Sequence, residues 1–513
     1  MKIFATNINA HDPNSYDGIT HRIEERHSRR KKHMDLGDYA QWYDTQFEPQ
    51  LKSRGNNIFA FTYTGGGYKG LLSENRDPFH NGVLTPYWEE IRKYNKKWDS
   101  LWDYYLKDGI YYINHHQSHA VNAFITSEYE ESDILAIDGG GIGFTCCYFN
   151  SKDYKMVDLT DDLSLGWLWN ISCVAAGLNV GDEGKLMGLA GYGKVNDWYY
   201  NLLEIYLAES ITRGRKFWMG TRNDVKRMCE NKVSNADVAA TIQQYTYDKV
   251  EEFVLPLKTS NNICIAGGVA YNGYMNEWFT KHWENVWIPS APGDEGQALG
   301  TYIHADYILN KNKHIPNLYS GVSIDSDWIP DIKEAIDLDL NVVAQTIADG
   351  GIVGWFQGRS ESGNRALGNR SILADPRNPD IKDIINTKIK LREDWRPFAP
   401  SVLIEHYQEY FNTSQPSPYM SRIMPVISDK IPGVTHVDGT ARIQTVTREQ
   451  NEKYYDLISE FYKITGIPMV INTSFNCQEP IVETPQNALD TFNRVGIDLL
   501  VINNVMVFKN DIS

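Results

Sequence analysis

The sequence predicts an α/β protein built from two domains. Three observations support this fold class: the length, the composition, and the alternation of short apolar strands with helical segments in both halves. The chain has 513 residues, of which 42% are hydrophobic and 23% charged, as is usual for a folded globular protein. At about 100–200 residues per domain, this length suffices for two to four domains.

The first predicted strand covers residues 2–9, and the segment from there to about residue 110 is the least regular part of the chain. A basic run, Arg29-Arg30-Lys31-Lys32, lies inside this segment. Such a run is usually a solvated face, and the alternative is a surface that binds anions. The sequence leaves both interpretations open.

From residue 133 the pattern of elements becomes clear. Residues 133–138 form a short apolar strand that ends at Asp138, and a glycine turn and a second β-rich segment follow it. Helices are predicted at 186–190, 197–207 and 237–257, the last because its apolar residues fall near one face.

A second buried strand at 262–266 runs into Gly267-Gly268 and a helix. A further helix is predicted at 295–309. The order of strand, double glycine and helix brings a phosphate or a ribose to a helix N-terminus.

The domain boundary is predicted within 312–345, where Pro, Gly, Ser and Asp become frequent. This divides the chain into domains 1–325 and 326–513. The second domain opens with a strand at 351–356, before a basic loop that contains glycines. Its further predicted elements are a helix at 380–390 and strands at 400–404, 468–471 and 498–502.

Three features of the first domain can carry chemistry. His115 and His119 are four residues apart, so on a helix they share a face and can bind one metal ion. Asp138 precedes glycines that let backbone N–H groups approach a phosphate, and its carboxylate could hold the metal. Asp294 is either the N-cap of a helix or a further ligand. Ordinary core histidines and a plain hairpin are the alternatives, but their co-occurrence in one stretch favours a site.

The second domain contains a group of basic residues in a protein whose net charge is −16. A small dianion needs several cationic donors in one pocket, and arginine supplies bidentate geometry. Each residue alone would suggest a surface salt bridge, but their concentration around residues 358–396 favours an anion site. These residues are Arg359, Arg365, Arg370, Lys390, Arg392, Arg396 and Arg442.

The composition also restricts the class of function. An acidic surface repels phosphate backbones on average, which disfavours general nucleic-acid binding. The six cysteines contain no C-x-x-C pair, so we expect reduced thiols in a cytoplasm rather than a zinc site or disulfides. Without an apolar leader or a run of about 18 apolar residues, neither a signal peptide nor a membrane span is expected.

Several long motifs occur in a fixed order. In the first domain they are SLGWLWNISCVAAG, DEGKLMGLAGYG, AGGVAYN and GDEGQALG. In the second they are GRSESGNRALGNRSILADPR, INTKIKLREDWRPFAPSVL, HVDGTARIQTV and INTSFNCQEPIVETP. Together they resemble the O-carbamoyltransferase family of antibiotic tailoring and nodulation-factor synthesis. The resemblance covers about 113–502, and before it only NAHD at 9–12 is similar to an early His-Asp motif of the family.

The resemblance implies a fold for each domain. The first is similar to the tRNA threonylcarbamoyl transferase subunit, within the superfold of actin, chaperone ATPases and sugar kinases. The second is similar to a YrdC-like α/β domain.

The resemblance further implies an ATP-dependent O-carbamoyltransferase. Carbamoyl phosphate and ATP would give carbamoyl-adenylate and pyrophosphate in the second domain. The carbamoyl group would then pass to an acceptor hydroxyl in the first. The positions that match the family's carbamoyl-phosphate site are Arg365, Lys390, Arg396, Arg442, Asn472 and Ser474.

The first domain would bind the nucleotide and one divalent metal ion, either iron or magnesium or manganese. The metal would lie on His115, His119 and Asp294, with Asp138 close by, and would neutralise the phosphate and polarise the leaving group. The residues expected to contact the nucleotide are Asp138, Gly139, Gly140, Gly141, Gly267, Gly268 and Asn272.

The candidate general base for the acceptor is His11, because a neutral imidazole suits proton removal from a hydroxyl near neutral pH. Asp12 could orient His11. His116 is the alternative base, with a purely structural role as the competing interpretation.

The acceptor hydroxyl is open. A small sugar or an antibiotic alcohol suits the acidic surface. A hydroxymethyl pyrimidine, in a nucleotide or in DNA, would suit the basic run and aromatic residues such as Tyr63, Tyr68 or Trp88. The abundance of Lys, Asn, Ile and Tyr is compatible with a bacteriophage. A sugar-kinase-like phosphotransferase and a non-catalytic ATP-binding module remain the alternative functions.

Overall fold

The computed structural model describes residues 2–8, 14–23, 57–63, 98–139, 145–213, 224–321 and 335–509, together with 87, 90, 91 and 93. The chain divides into two compact units. The first unit comprises Met1–Tyr271 and Lys281–Asn317. The second unit comprises Asn272–Thr280 and Leu318–Ser513.

The described strands are distributed along the whole chain. In order they are β1 (Ile3–Ile8), β2 (Asn14–Tyr16), β3 (His21–Ile23), β4 (Ile58–Tyr63), β5 (Tyr105–Lys107), β6 (Ile110–Tyr112), β7 (Asp133–Ile137), β8 (Cys146–Phe149), β9 (Met156–Asp158), β10 (Asn262–Ala266), β11 (Asn285–Trp287), β12 (Ile336–Asp337), β13 (Val353–Phe356), β14 (Arg370–Ala374), β15 (Ala399–Leu403), β16 (Ile423–Pro425), β17 (Thr440–Arg442), β18 (Gln444–Val446), β19 (Met469–Ser474), β20 (Leu499–Ile502) and β21 (Val505–Phe508).

Helices alternate with these strands, which confirms the predicted α/β class. They are α1 (His115–Thr126), α2 (Leu165–Ala175), α3 (Glu183–Leu189), α4 (Asp197–Arg213), α5 (Asn235–Phe253), α6 (Gly273–Phe279), α7 (Gln297–Asn310), α8 (Leu340–Ala348), α9 (Ile381–Ile385), α10 (Tyr407–Tyr410), α11 (Glu452–Thr465) and α12 (Pro485–Arg494). Short 3-10 turns include Gly268–Tyr271 and Asp294–Gly296, and Asn386–Lys390 forms a π-helical turn. None of the helices in the described ranges is long and apolar enough to cross a membrane.

The first unit contains two mixed sheets. A six-stranded sheet has the order β3-β2-β1-β4-β6-β5, and a five-stranded sheet has the order β11-β10-β7-β8-β9. β7 and β10 run parallel and are buried almost throughout, so both have continuous apolar sequences. Helix α1 packs on both of them and on α7. The two strands end at the same edge, where Asp138 and Gly267 follow directly.

The second unit is organised around an eight-stranded sheet of order β12-β21-β20-β13-β14-β19-β15-β18. β14 and β15 run antiparallel to β19, which lies between them, and β18 runs parallel to β15. The amino ends of β14, β15 and β18 therefore lie at the same edge as the carboxyl end of β19. The core beneath this sheet includes Trp355, Leu457 and Phe492, each fully buried.

Every strand and helix predicted from residue 133 onward has a counterpart, and most of them have shifted ends. The helix predicted at 237–257 ends at Phe253, and a 3-10 turn with Pro256 follows, because proline lacks the N–H that an α-helix needs. The helix predicted at 380–390 is α for one turn and π-helical afterwards. The helix predicted after Gly268 is a 3-10 turn followed by α6.

Candidate metal centre and anion site

Helix α1 begins at His115 because a capping box closes its first turn. The Asn114 side chain accepts from the backbone N–H of His116 at 2.9 Å, and the Gln117 side chain accepts from the backbone N–H of Asn114 at 2.8 Å. The helix start thus fixes His115, and His119 follows one turn later on the same face. Both imidazoles are buried.

The two imidazoles face two carboxylates from other elements. His115 Nε2 lies 2.9 Å from Asp138 Oδ2 and 3.2 Å from Asp294 Oδ1. His119 Nε2 lies 3.5 Å and 3.4 Å from the same two oxygens. The ligand atoms of the four residues lie within 4.8 Å of one another. The Asp294 side chain therefore points at the histidines instead of capping α7, whose N-cap is Gly296.

The two carboxylates make a positive charge favourable inside this cluster. Burial disfavours protonation of His115, but Asp294 and Asp138 outweigh it and raise the pKa of His115 to about 9. Burial alone would raise the pKa of Asp138, yet hydrogen bonds from the two histidines hold it well below its usual value. Asp294 likewise has a lowered pKa. Two ionised carboxylates in a buried site need either protons on the imidazoles or a cation between them.

The donor set fits a divalent transition metal ion. Two imidazole nitrogens and two carboxylate oxygens suit iron, manganese or zinc better than magnesium, which prefers oxygen ligands alone. The Nδ1 atoms of His115 and His119 are buried and have no hydrogen-bond partner in the described chain. Packing and the carboxylates, rather than a hydrogen bond at Nδ1, therefore orient these rings.

The two aspartates are held by the Gly268 backbone and by two asparagines that the sequence did not indicate as site residues. Asp138 Oδ1 accepts from the backbone N–H of Gly268 at 3.1 Å. The Asp294 carbonyl accepts from Asn14 Nδ2 at 2.8 Å and from Asn7 Nδ2 at 3.2 Å. Asn7 and Asn14 are register partners on β1 and β2, so the amino-terminal strands hold a candidate metal ligand. Asparagines in short polar strands carry no sequence signal for this role.

The glycine turn after β10 is required by backbone packing. Gly267 has φ +94°, and a Cβ there would lie 2.1 Å from the carbonyl oxygen of Ile137. A Cβ at Gly268 would lie 2.8 Å from Asp138 Oδ1. These glycines therefore bring the ends of β7 and β10 together, which places the Asp138 carboxylate.

The remaining predicted residues of the first domain have different positions. His116 is buried beside the cluster, and burial together with the His115 charge lowers the pKa of His116 to about 3, so it is neutral. Gly139 follows Asp138 and lies two residues after the end of β7. Asn272 lies in the second unit, where its side chain caps α6. The predictions at His11, Asp12, Gly140, Gly141, Tyr68, Trp88 and the basic run 29–32 lie outside the described residues, as does the side chain of Tyr63.

The predicted anion-binding residues lie at one edge of the eight-stranded sheet. Asn472 and Ser474 end β19, and Arg365 and Arg396 lie a few residues before the neighbouring strands β14 and β15. Arg442 precedes β18 at the same edge, and Lys390 also precedes β15. The strand order thus gathers residues that are distant in sequence, as a binding site at a sheet edge requires.

Lys390 is 2% exposed, which is unusual for a lysine. It ends the π-helical turn, and Leu391 after it has φ 46°. Its ammonium group donates to Ser474 Oγ at 3.3 Å, to Asn476 Oδ1 at 2.8 Å and to the Asn476 carbonyl at 3.0 Å. The π-helical turn and the left-handed residue Leu391 therefore place the buried ammonium group of Lys390 at the end of β19.

Asn472 ties the arginine loop to the sheet. Its Nδ2 donates to the Ala366 carbonyl at 3.2 Å, to Ser401 Oγ at 3.0 Å and to Gln444 Oε1 at 3.0 Å. Gln444 also donates to the Leu367 carbonyl at 2.9 Å. Gln444 was not predicted, because a neutral amide carries no spacing signal that would mark it as a site residue.

Two guanidinium groups come close together before β15. Burial and the charge of Arg396 lower the pKa of Arg392 to about 9. Arg396 lies 3.6 Å from Glu393 and is about one-quarter exposed, so part of its charge faces solvent. Neighbouring cations repel each other unless an anion is shared between them, which fits an anion site. Arg442 donates to the Met420 carbonyl at 2.9 Å.

Arg370, another member of the basic set, has a structural role. It is fully buried and donates to the carbonyls of Gln357 at 2.6 Å and Gly358 at 2.9 Å. Its guanidinium carbon lies 3.6 Å from the centre of the Phe356 ring. Arg370 thus fixes the loop after β13 and contributes to the anion site only indirectly.

Comparisons with known proteins find two family models that match separate parts of the chain. Residues 84–303 match the family model described as Carbamoyltransferase N-terminus, and residues 344–509 match the one described as Carbamoyltransferase C-terminus. The first match contains the four residues of the metal cluster, and the second contains the six predicted anion-binding residues.

The chain is also similar to curated nodulation proteins. It is 35% identical to nodulation protein NolNO of Sinorhizobium fredii, over 79% of this chain and 65% of the relative. It is 34% identical to nodulation protein NolO of Bradyrhizobium diazoefficiens, over 78% of this chain and 80% of the relative. Nodulation protein U of Sinorhizobium fredii is 38% identical over 43% of this chain and 40% of the relative.

Proposed function

The chain belongs to the carbamoyltransferase family and is a transferase of carbamoyl groups, and from this premise we propose that it activates carbamoyl phosphate with ATP before transfer. The second unit forms carbamoyl-adenylate, and the first passes the carbamoyl group to an acceptor hydroxyl. The observation that carries the proposal is the gathering of Arg365, Lys390, Arg396, Arg442, Asn472 and Ser474 at one sheet edge.

This edge suits a small phosphate dianion with a carbamoyl group attached. The arginines and Lys390 offer charge-assisted hydrogen bonds to phosphate oxygens. The Asn472 amide and the Ser474 hydroxyl at the end of β19 offer neutral polar contacts to the carbamoyl group. Arg392, whose pKa is lowered by burial and by its neighbour Arg396, adds positive potential at the same place.

The activation has a simple balance of bonds. Water hydrolyses carbamoyl phosphate at one of the two bonds of its bridging oxygen, either the C–O bond or the P–O bond. Both reactions release phosphate and leave carbamate. A carbamate oxygen then bonds to the α-phosphorus of ATP, and pyrophosphate leaves. The product, carbamoyl-adenylate, transfers its carbamoyl group to an alcohol with loss of AMP and a proton.

In the first unit His115, His119, Asp138 and Asp294 would hold a divalent transition metal ion such as iron or manganese. Such an ion supplies charge neutralisation at the phosphate and polarises the leaving group. The Gly268 N–H keeps the Asp138 carboxylate in place. His116 is buried and neutral, so it is available as a proton acceptor only if the acceptor hydroxyl reaches it.

The alcohol acceptor is a small molecule in this proposal, because the net charge of −16 disfavours a polyanion.

A pyrophosphate assay tests the activation step. Mixing the protein with ATP and carbamoyl phosphate should release pyrophosphate, and omission of carbamoyl phosphate should stop the release. Release of ADP when a sugar is added would instead indicate the kinase alternative.

Arg396→Ala should slow carbamoyl-phosphate-dependent pyrophosphate release by about ten- to a hundredfold, because a charge-assisted hydrogen bond to a desolvated anion is lost. Arg448→Ala is the matched control, since Arg448 is an exposed arginine of the same unit that pairs with Glu452. Release at the wild-type rate in Arg396→Ala would contradict the anion site.

A further inference from the structure

Three buried polar side chains from the first three strands bind one short turn, Asp294–Gly296. Each is at most 1% exposed, and they belong to Asn7 on β1, Asn14 on β2 and His21 on β3. Both asparagines donate to the Asp294 carbonyl, as described above. His21 Nε2 donates to the next carbonyl, that of Glu295, at 2.8 Å, since a carbonyl can only accept. Two consecutive carbonyls of the turn that carries a candidate metal ligand are thus held by the amino-terminal strands.

Asn14 also caps the helix that follows this turn. The N-cap of α7 is Gly296, which has no side chain to accept from the first backbone N–H groups of the helix. Asn14 Oδ1 accepts from the backbone N–H of Ala298, the second residue of α7, at 2.9 Å. An N-cap side chain normally makes this hydrogen bond. Asn14 therefore supplies the cap from another part of the chain, while the Asp294 carboxylate points at the two imidazoles of the metal cluster.

The same turn is bonded to the segments that carry the other candidate ligands. The Glu295 carboxylate is buried and accepts from the Tyr271 hydroxyl and, at 3.1 Å, from the Gly293 N–H. Gln297 Nε2 donates to the His115 carbonyl at 3.2 Å. The position of the turn therefore depends on α1 and on the glycine turn after β10, and the hydrogen bonds from β1, β2 and β3 complete its support.

These contacts link metal binding to the stability of the amino-terminal strands. A metal ion bound by Asp294 would fix the turn, and a fixed turn presents its carbonyls and the Ala298 N–H to Asn14 and His21. Coupling of this kind is reciprocal: whatever the strands add to the affinity for the metal, the metal adds to the stability of the strands.

We infer that Asn14 and His21 are positioning residues of the metal centre, and that a bound metal ion in turn stabilises β1, β2 and β3 against local opening. The inference rests on the proposed function for the presence of a metal ion in the four-residue cluster. It gives a role to strands that precede both regions matched by the family models.

Asn14→Ala tests the effect on the metal, with Co²⁺ as the probe because its visible absorption responds to the geometry of its ligands. We expect the Co²⁺ dissociation constant, measured by competition with a chelator, to rise about tenfold or more, because groups that orient metal ligands commonly contribute that much. The absorption bands should also shift. Ser15→Ala is the control, since Ser15 is the next residue of β2 and points to the other face of the strand. It should keep the wild-type constant and spectrum, and wild-type values in Asn14→Ala would overturn the inference.

His21→Phe is a second variant, which decides the question should Asn14→Ala fail to fold. A phenyl ring can keep the edge contact of His21 with Tyr16, at 6.3 Å between ring centres, but cannot donate to the Glu295 carbonyl. The Co²⁺ dissociation constant should rise severalfold. An unchanged constant in folded His21→Phe would overturn the inference.

Amide hydrogen exchange tests the reverse direction of the coupling. Saturating Co²⁺ should slow exchange in β1 and β2 of the wild type, by a factor comparable with the change in the dissociation constant. In Asn14→Ala most of this metal-dependent slowing should be lost. A purely structural role would instead speed exchange equally with and without Co²⁺, and that result would overturn the inference.

The outcomes distinguish the inference from the proposed function. A wild type that shows the expected coupling but never releases pyrophosphate overturns the activation step and supports the inference. A wild type that releases pyrophosphate and binds Co²⁺ no better than Asn14→Ala overturns the inference alone. A wild type that binds none of Co²⁺, Mn²⁺ and Fe²⁺ removes the metal from the proposed function and overturns the inference with it.

Discussion

His119 shares its two carboxylate neighbours with His115, but it lies farther from both of them. Its Nε2 is 3.5 Å from Asp138 and 3.4 Å from Asp294. A bound metal ion would replace the proton that these carboxylates otherwise favour on the imidazoles. His119 is therefore the ligand whose removal should affect metal binding while leaving the shorter His115–Asp138 contact in place.

His119→Ala should lower the metal content of the purified protein and cut carbamoyl transfer by at least about tenfold. Loss of a residue that supports a metal ligand commonly lowers metal affinity or activity about ten- to a hundredfold, and loss of the ligand itself should cost no less. Pyrophosphate release should change less, since the anion site belongs to the other unit. Metal analysis and the two assays check this. His282→Ala, at a partly exposed histidine of the same unit, is the control. Equal losses in both assays, or transfer that is insensitive to chelators, would contradict the metal role.

His304 provides a pH-dependent contribution to stability that is independent of the metal. It is fully buried, and Tyr111 and the Leu101 carbonyl are its hydrogen-bond partners at 2.7 Å and 3.2 Å. Burial lowers the pKa of His304 to about 4, whereas in the unfolded chain it is about 6.5. Between these values the unfolded state binds more protons, so stability is lost as the pH falls through this window.

We expect this histidine to remove on the order of 3 kcal/mol of folding free energy between about pH 6.5 and about pH 4. His304→Gln cannot titrate, so its free energy of unfolding in urea should fall less over that window than that of wild type. His116 is present in both proteins and cancels in the comparison. Identical pH dependence in the two proteins would show that His304 is protonated when folded.

Single site residues were predictable where they lie close together in the sequence at a spacing typical of a binding site. The i, i+4 histidines and the aspartates at turns indicated the metal cluster, and the structure brings all four together. Neutral amides such as Asn476 and Gln444 carry no such signal. The contact between Asn476 and Lys390 joins residues that are 86 positions apart in sequence, so only the fold reveals it.

Elements were predictable where an apolar run or a helical period is long enough to outweigh local exceptions. β10 was predicted with its observed bounds, because five buried or nearly buried residues are followed by a double glycine. The π turn at Asn386–Lys390 was not, since its sequence also fits a continuing α-helix and tertiary contacts of Lys390 decide the outcome. Pairing of distant strands at one sheet edge is likewise a property of the fold rather than of any one segment.

The turn between β10 and the following 3-10 turn gives a prediction at the scale of elements. Gly267 and Gly350 have nearly equal φ values, +94° and +93°, but only Gly267 has a backbone atom where a Cβ would lie. Gly350→Ala should therefore cost only the left-handed strain, about 1–2 kcal/mol. Gly267→Ala should cost more and lower the metal content, because its Cβ would displace the end of β7, which precedes Asp138.

Denaturant unfolding of both glycine variants, with metal analysis, measures this difference. Equal losses of stability with full metal content in Gly267→Ala would mean that the ends of β7 and β10 are not tightly coupled.

Over the whole molecule, the two family matches leave three parts of the chain outside them, of which the part before residue 84 is the longest. They cover 84–303 and 344–509, so the residues before 84 belong to neither. That part contains His11, Asp12 and the basic run 29–32. The candidate metal ligands and the predicted anion-binding residues lie in the matched regions, so we expect the choice of acceptor to be the property most open to variation in the remainder.

The response to salt tests which acceptor this molecule takes. For a small alcohol, product formation should change little with ionic strength, and this is the result we expect from a chain of net charge −16. A hydroxymethylated DNA acceptor would give a rate that falls steeply with salt, because counterions are released when basic residues meet phosphates.

Replacing Arg29, Arg30, Lys31 and Lys32 with Ser should then weaken activity on DNA and spare a small acceptor. Replacing exposed Lys152, Lys155, Lys311 and Lys313 removes the same charge elsewhere and is the control. Carbamoylated DNA at low salt that disappears only in the first variant would overturn the small-molecule acceptor, and mass spectrometry of the products decides between the two.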